Sequence, residues 1–221
     1  NDGSTDNCLE IARYYEKEDE RFLVIDKENE GVTAAREEGF QRSGGNLIFF
    51  LDSDDYLEHN AIEFMVRRMR SEEADLVVCG IQYENSEGHP VTSWISQING
   101  TTRIDLLNAL FENRLVPNLW GKLYRREHYE PLKVPAEITM GEDYVACALL
   151  FCMHEHLRVV LEPALLYHFT MRPDSAVAAA DPESMVPYAD HIETILAGYG
   201  IEEEVMDSWA YFRLIDRKSV V

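Results

Sequence analysis

The 221 residues are 46% hydrophobic and 10% aromatic, enough for a sizeable core, and carry a formal charge of −21. So acidic a chain excludes nucleic acid as a partner, because phosphate binding rests on clustered Lys and Arg. A local cluster, VRRMR (66–70), leaves peripheral contact with an anionic membrane open, but the longest apolar run, VACALLFCM (145–153), is too short to span a bilayer.

The chain opens on NDGSTD (1–6), a turn running into a helix start, with Leu9, Ala12 and Tyr15 at helical spacing up to residue 20. There is neither an initiator Met nor a strand ahead of this turn, which reads as a fragment lacking a first strand and helix. RFLVID (21–26) is apolar and β-branched, hence a predicted strand, and GVTAAREEGFQRS (31–43) a predicted helix stopped by Gly44 and Gly45. NLIFFLD (46–52) is a continuous apolar strand of the kind buried on both faces of a parallel sheet. Helix is expected over 58–73, strand over 74–84, and an antiparallel return over 91–95 after the turn cluster NSEGHP. The second half is more mixed. Helices are expected at 103–113 and 142–153, two short strands either side of Pro163, and two helices from residue 181 to the end. Each crossover in the first half can hold a helix, so the expected fold is α/β with a mainly parallel central sheet. Cys8, Cys79, Cys147 and Cys152 make no CxxC pair and no zinc spacing, and read as buried free thiols of a reducing compartment.

In open α/β sheets ligands sit at the carboxyl ends of strands, and there the chain places Asp52, Asp54 and Asp55 in FFLDSDDYL (49–57). Two carboxylates about 5 Å apart repel by about 3 kcal/mol at an effective dielectric near 20. A proton or a divalent cation relieves that; a solvated turn capping the next helix is the plainer alternative. An EF-hand loop is excluded because its glycine position holds Leu57, and an aspartyl-phosphate hydrolase because the position after the pair holds Tyr56. Other segments each have two readings. Asp2 is Asx-turn chemistry or a contact to a nucleobase edge, and Arg36 a surface ion pair or a ligand contact. Glu142 and Asp143 at the start of an apolar helix are N-terminal capping or a general base. Trp120 and Lys122 in PNLWGKLYRRE (117–127) are core and surface, or a sugar-phosphate site. His168, Arg172 and Ser175 in YHFTMRPDSA (167–176) are an ordinary loop or part of the same rim.

Taken in order, NDGSTD, ENEGVTAAREEGF, LIFFLDSDDYL, NLWGKLYRRE, GEDY and YHFTMRPDSA resemble a bacterial family 2 glycosyltransferase with the GT-A (Rossmann-like) fold. The resemblance covers residues 1 to about 176, with 177–221 a helical extension. It implies an inverting, cytoplasmic hexosyl- or N-acetylhexosaminyltransferase of polysaccharide biosynthesis, acting at or near the inner membrane face. The donor would be a nucleotide-diphosphate sugar, a UDP-sugar first, used with Mn²⁺ or Mg²⁺. Saccharide, lipid-linked and protein acceptors all stay open, and a second copy of the chain could cover an exposed sheet edge. By match to the motifs, Asp2 reads the base and Arg36 contacts the nucleotide. Asp52 and Asp54 form the DxD pair with Asp54 as direct metal ligand, and Asp55 takes the third acidic position. Asp143 is the base with Glu142 beside it. Lys122 lies at the donor, Trp120 on the acceptor side, and Arg172 with Ser175 in a phosphate-side loop. Glu37 departs from the family's usual Asn. A nucleotidyltransferase and a non-catalytic binding module on the same scaffold are the competing readings.

Overall fold

The computed structural model of the chain describes residues 1–130, 132–135, 138, 140–172 and 186–218. It forms two compact units, Asn1–Gly45 with Val134–Thr139, and Asn46–Lys133 with Met140–Val221.

In the first unit, α1 (Cys8–Glu18) starts where an Asp6 carboxylate oxygen accepts the Cys8 N–H at 3.0 Å, since the Asn7 side chain makes no cap. Helix α2 (Val32–Arg42) leaves Gly31, whose φ of 90° favours glycine. The expected strand at 21–26 does not form. An apolar run gives only extended chain until a ladder partner exists. Here the ladder has one parallel rung, between Asp2 and Lys27, with Ile25 and Lys27 bonding the Asn1 backbone. Phe22 and Leu23 stay exposed as a result.

The second unit is built on a six-stranded sheet flanked by helices. Its strands are β1 (Leu47–Phe49), β2 (Tyr56–Leu57), β3 (Leu76–Glu84), β4 (Pro90–Trp94), β5 (Lys122–Arg125) and β6 (Val159–Thr170), in the order β1-β5-β3-β6-β2 with β4 also on β3. Strand β3 is central and buried over its first six residues, as its unbroken apolar sequence requires. It runs parallel to β6, and the other pairings are antiparallel, so the expected α/β fold with a central sheet flanked by helices is built on a mixed sheet. The crossovers do return β1, β3 and β6 pointing the same way. What periodicity does not reveal is that β5 slots between β1 and β3 in the opposite sense. Because the three long-connected strands agree in direction, Asp52, Glu84 and Thr170 follow or end strands on one rim of the sheet.

The two short strands expected around Pro163 are one strand, β6. Pro163 lacks an N–H, and the ladder skips it: Cys79 pairs with Glu162 and Gly80 with Leu165. Gly80 makes the bulge possible, since a Cβ there would lie 2.8 Å from the Pro163 carbonyl oxygen.

Around the sheet, α3 (Ala61–Ser71) buries Ala61, Met65 and Met69. A full capping box between Thr102 and Asp105 starts α4 (Arg103–Phe111). The short α5 (Arg126–Tyr129) follows β5 directly. Helix α6 (Glu142–Met153) is apolar nearly all round and correspondingly buried. The final helices, α7 (Val186–Tyr199) and α8 (Met206–Lys218), pack on α6 and α4 within this unit. Cys79, Cys147 and Cys152 are buried free thiols as expected, whereas Cys8 is exposed on its amphipathic helix. Among the described residues, no helix is long and apolar enough to cross a membrane.

Candidate active site

The acidic cluster sits in a tight turn between β1 and β2, closed by an Asp55 N–H bond to the Asp52 carbonyl at 3.2 Å. Its three carboxylates have different surroundings. Asp55 points inward: one oxygen accepts the Tyr167 hydroxyl at 2.6 Å and the other the Thr170 N–H at 2.9 Å. Burial pushes the Asp55 carboxyl above its ordinary range against those two bonds, helped by the charges of Asp54 and Asp52. Asp54 faces outward and receives the Arg172 guanidinium at 2.5 Å. Asp52 is half-buried, and its N–H donates to the Tyr167 oxygen at 3.4 Å.

Beneath the turn lies an aromatic stack. Trp120, only 3% exposed, packs at 4.6 Å and 15° on Tyr167 and at 5.3 Å on Phe169. Its neighbour Phe50 forms a parallel bridge with Trp120 and so ties the end of β1 to this floor. The expected acceptor-side tryptophan is thus a packing residue under the acidic turn. Its indole is taken by two aromatic faces.

A second polar group fastens the strand that leaves the turn. The Tyr56 hydroxyl donates to Glu84 at 2.7 Å, and the Tyr56 ring stacks on His168 at 4.4 Å and 12°. His168 Nδ1 lies 2.9 Å from the other Glu84 oxygen, and Nε2 lies 3.1 Å from Glu58. His168, then Tyr56, hold the buried Glu84 carboxyl below its usual range, while the bond to Glu84 pushes the Tyr56 hydroxyl up to about 12. Sequence reasoning missed Tyr167, Glu84, Tyr56 and Glu58. One signal was available: Glu84 closes a strand otherwise buried, where a lone carboxylate needs a partner.

Asp143 lies in the first turn of α6 and is buried, with Glu142 half-buried before it. Gly141 sets this helix start; its φ is 76°, and a Cβ there would meet the Tyr188 ring at 2.5 Å. Lys122, expected to face the donor, is fully buried. Its ammonium donates to the Val116 carbonyl at 2.7 Å and to the Asn118 carbonyl. Burial lowers the Lys122 pKa, opposed by Cys147, Asp143 and Cys79. An ammonium so enclosed has no path to a phosphate, so Lys122 acts as the peg of the 116–118 loop, electrostatically coupled to Asp143.

In the other unit, Asp2 accepts the Glu30 N–H at 3.0 Å and the Gly31 N–H at 2.9 Å, with Lys27 at 3.5 Å. The Glu30 bond above all holds its carboxyl below the usual value. Arg36 stands half-buried on α2. Ser175 lies outside the described residues. No group of three His, Cys, Asp or Glu side chains is arranged to hold a metal ion among the described residues.

Comparison with known proteins gives the chain's family and fold. A family model described as Glycosyl transferase family 2 matches residues 1–132. EpsH of Bacillus subtilis (strain 168), named as a glycosyltransferase, is 39% identical over 185 residues, which are 80% of this chain and 52% of EpsH. Glycosyltransferase GlyA of Streptococcus pneumoniae serotype 4 is 28% identical over 221 residues, 93% of this chain and 31% of GlyA. The chain therefore spans about half the length, or less, of these curated relatives. The fold matches that of S. aureus TarS 1-349 with a TM-score of 0.70 at 19% identity, over 96% of this chain and 59% of that one. The same TarS fragment in complex with UDP-GlcNAc gives 0.65 at 17% identity, over 100% of this chain and 71% of that one. This chain belongs to glycosyl transferase family 2.

Proposed function

We propose that the chain carries the catalytic machinery of an inverting glycosyltransferase that moves a sugar from a nucleotide-diphosphate sugar to an acceptor hydroxyl. The observation that carries this reading is the division of labour in the 52–55 turn. Asp55 is bonded inward by Tyr167 and Thr170, while Asp54 is turned outward on a rim with a guanidinium already against it. A rim that mixes carboxylate and arginine suits a diphosphate, which needs positive charge from the protein and from a cation together. TarS has been crystallised with UDP and with UDP-GlcNAc, so a UDP-sugar is the donor to test first.

The donor set fits a hard divalent cation in its chemistry. Asp54 and Asp52 offer carboxylate oxygens, and Mg²⁺ or Mn²⁺ is commonly held by one or two carboxylates plus substrate phosphates. Asp55, whose two oxygens are already engaged, supports the turn instead of binding metal. When bound, such a cation supplies positive charge to the departing diphosphate.

The remaining chemistry belongs to side chains. Asp2 Oδ2, which accepts the Gly31 N–H, offers its second lone pair to a base-edge N–H, and Arg36 contacts the nucleotide. Arg172 moves its guanidinium from Asp54 to the diphosphate, with Ser175 in the same segment. Asp143 takes the proton of the acceptor hydroxyl as that oxygen attacks the anomeric carbon. The bond from that carbon to the phosphate oxygen breaks from the opposite face, and the nucleoside diphosphate leaves with the electron pair. Glu142 flanks the base. Residues 1–176 carry these steps, with α7 and α8 in support.

Calorimetry with UDP, with Mn²⁺ and with EDTA, tests the reading, followed by release of UDP from UDP-sugars. We expect binding that depends on Mn²⁺ and turnover lost in Asp143→Asn, by a factor on the order of 10²–10⁴. Equal UDP affinity in Mn²⁺ and in EDTA would overturn it.

A further inference from the structure

The acidic turn exits into β2, a strand of two residues, too short to hold itself. What holds it is a cluster of side chains from three separate strands or turns. Tyr56 stands opposite His168 in the antiparallel register of β2 and β6, and the two rings are stacked. His168 Nδ1 reaches Glu84 at the end of β3, and Nε2 reaches Glu58, just beyond β2. Asp55 on the near side of Tyr56 is tied to Tyr167 and Thr170, the residues flanking His168 in β6. Apart from the Tyr56 bond to Glu84 and the Glu58 N–H bond to the Leu166 carbonyl, these fastenings of the turn's exit pass through residues 167–170.

We infer that His168 is the positioning residue of the proposed donor site: by bridging Glu84 and Glu58 it clamps the exit of the 52–55 turn and so holds Asp52 and Asp54 in place for a cation-bound diphosphate. The inference rests on the donor reading above.

The chemistry favours this role for histidine. Glu84 is 4% exposed, and a carboxylate so far from water requires donors. Tyr56 supplies one and His168 the other. The ring presents its two nitrogens on opposite edges, one to each glutamate, so a single side chain spans Glu84 and Glu58. A lysine would offer its donors from one point and would not stack on Tyr56. Removing the ring leaves Glu84 with Tyr56 alone, deprives Tyr56 of its stacking partner, and frees Glu58, which is exposed to water. The losses at Tyr56 and Glu58 fall within four residues of Asp54, and the loss at Glu84 lies across the ladder from them.

Binding of UDP with Mn²⁺ to the full chain, followed by calorimetry at a temperature where every variant is folded, tests the clamp. His168→Ala is expected to raise the dissociation constant on the order of tenfold, the usual effect of losing a partner behind a metal-binding residue. Imidazole added to the buffer is expected to restore part of that loss. Leu107→Ala, which opens a cavity at a fully buried position of α4, lowers the melting temperature but keeps the affinity within about twofold. If His168→Ala does not fold, Glu58→Ala at its exposed position removes only the Nε2 contact and is expected to weaken binding about threefold. Wild-type affinity in the His168 variant, or in Glu58→Ala where that variant stands in for it, overturns the inference, as does an equal loss in Leu107→Ala. A wild-type protein that binds no UDP in Mn²⁺ brings down the donor reading itself, and the clamp with it.

Discussion

At Asp2 each carboxylate oxygen accepts a backbone N–H, from Glu30 and from Gly31, while the 52–55 turn sends its three carboxylates to different fates. The first turn satisfies its charge locally, and its carboxyl is held below the usual range. The second keeps like charges crowded: burial first, and then Asp54 and Asp52, push the half-buried Asp55 carboxyl upward, and Asp54 has the Arg172 side chain beside it. The contrast separates an aspartate whose turn donates to both its oxygens from a cluster whose carboxylates repel one another. Repulsion that the backbone does not relieve marks a place for a cation or a cationic partner.

The strongest way to break the comparison is to neutralise Asp52 and Asp54 without changing their shape. The double variant Asp52→Asn with Asp54→Asn is expected to lose about 10²–10³ in turnover of a UDP-sugar, read as UDP release. It is also expected to lose the response of UDP affinity to Mn²⁺. A variant that keeps both would mean that the turn is only a cap for α3 and that the donor's charge is met elsewhere.

How much of this could be read from the amino-acid sequence depends on how far apart the partners lie. Helices α3, α4 and α6 and strand β3 are legible because their signal is local: apolar spacing, a capping box, an unbroken apolar run. The antiparallel place of β5 is not, since no spacing within 122–125 says which strands will lie on either side. Nor is the continuity of β6, because the bulge at Pro163 depends on a missing Cβ at Gly80 across the ladder. The site divides in the same way. The acidic turn shows itself as three aspartates in four residues at the end of an apolar strand. The clamp behind it joins residues 84 and 110 positions apart through His168, and 28 apart through Tyr56. Lys122 misleads for a related reason. Lysines are rarely buried, so a lysine beside a tryptophan reads as a ligand contact until the 116–118 carbonyls are seen around it.

A smaller effect is expected at the turn that is already complete. Asp2→Ala removes the acceptor of two N–H groups at the entry to α2. Amide exchange at Glu30 and Gly31, followed by NMR, should quicken by about tenfold, with little change in the rest of that unit. The pH dependence has a definite sign. A carboxyl whose folded pKa is depressed contributes stability above its unfolded value and loses it as pH falls through the folded one. Wild-type protection of these amides is therefore expected to persist to pH values acid of the ordinary carboxylate range.

Asp55 should respond least to substitution and with the opposite sign. Its folded pKa is raised, chiefly by burial, so its contribution is fully present below the unfolded value and is lost as pH rises through the folded one. At neutral pH its charge is thus a cost that the Tyr167 and Thr170 bonds offset. Asparagine keeps an acceptor for the Thr170 N–H and offers Tyr167 a donor in exchange, without the charge. Asp55→Asn is expected to leave stability unchanged or raise it by up to about 1 kcal/mol in urea unfolding, with turnover within about tenfold of wild type. The wild-type advantage at acid pH should shrink in the variant, because the group that titrates is gone. A loss as deep as that of the Asp52 and Asp54 double variant would make Asp55 a direct ligand and would erase the distinction between it and Asp54 on which the turn's chemistry is argued.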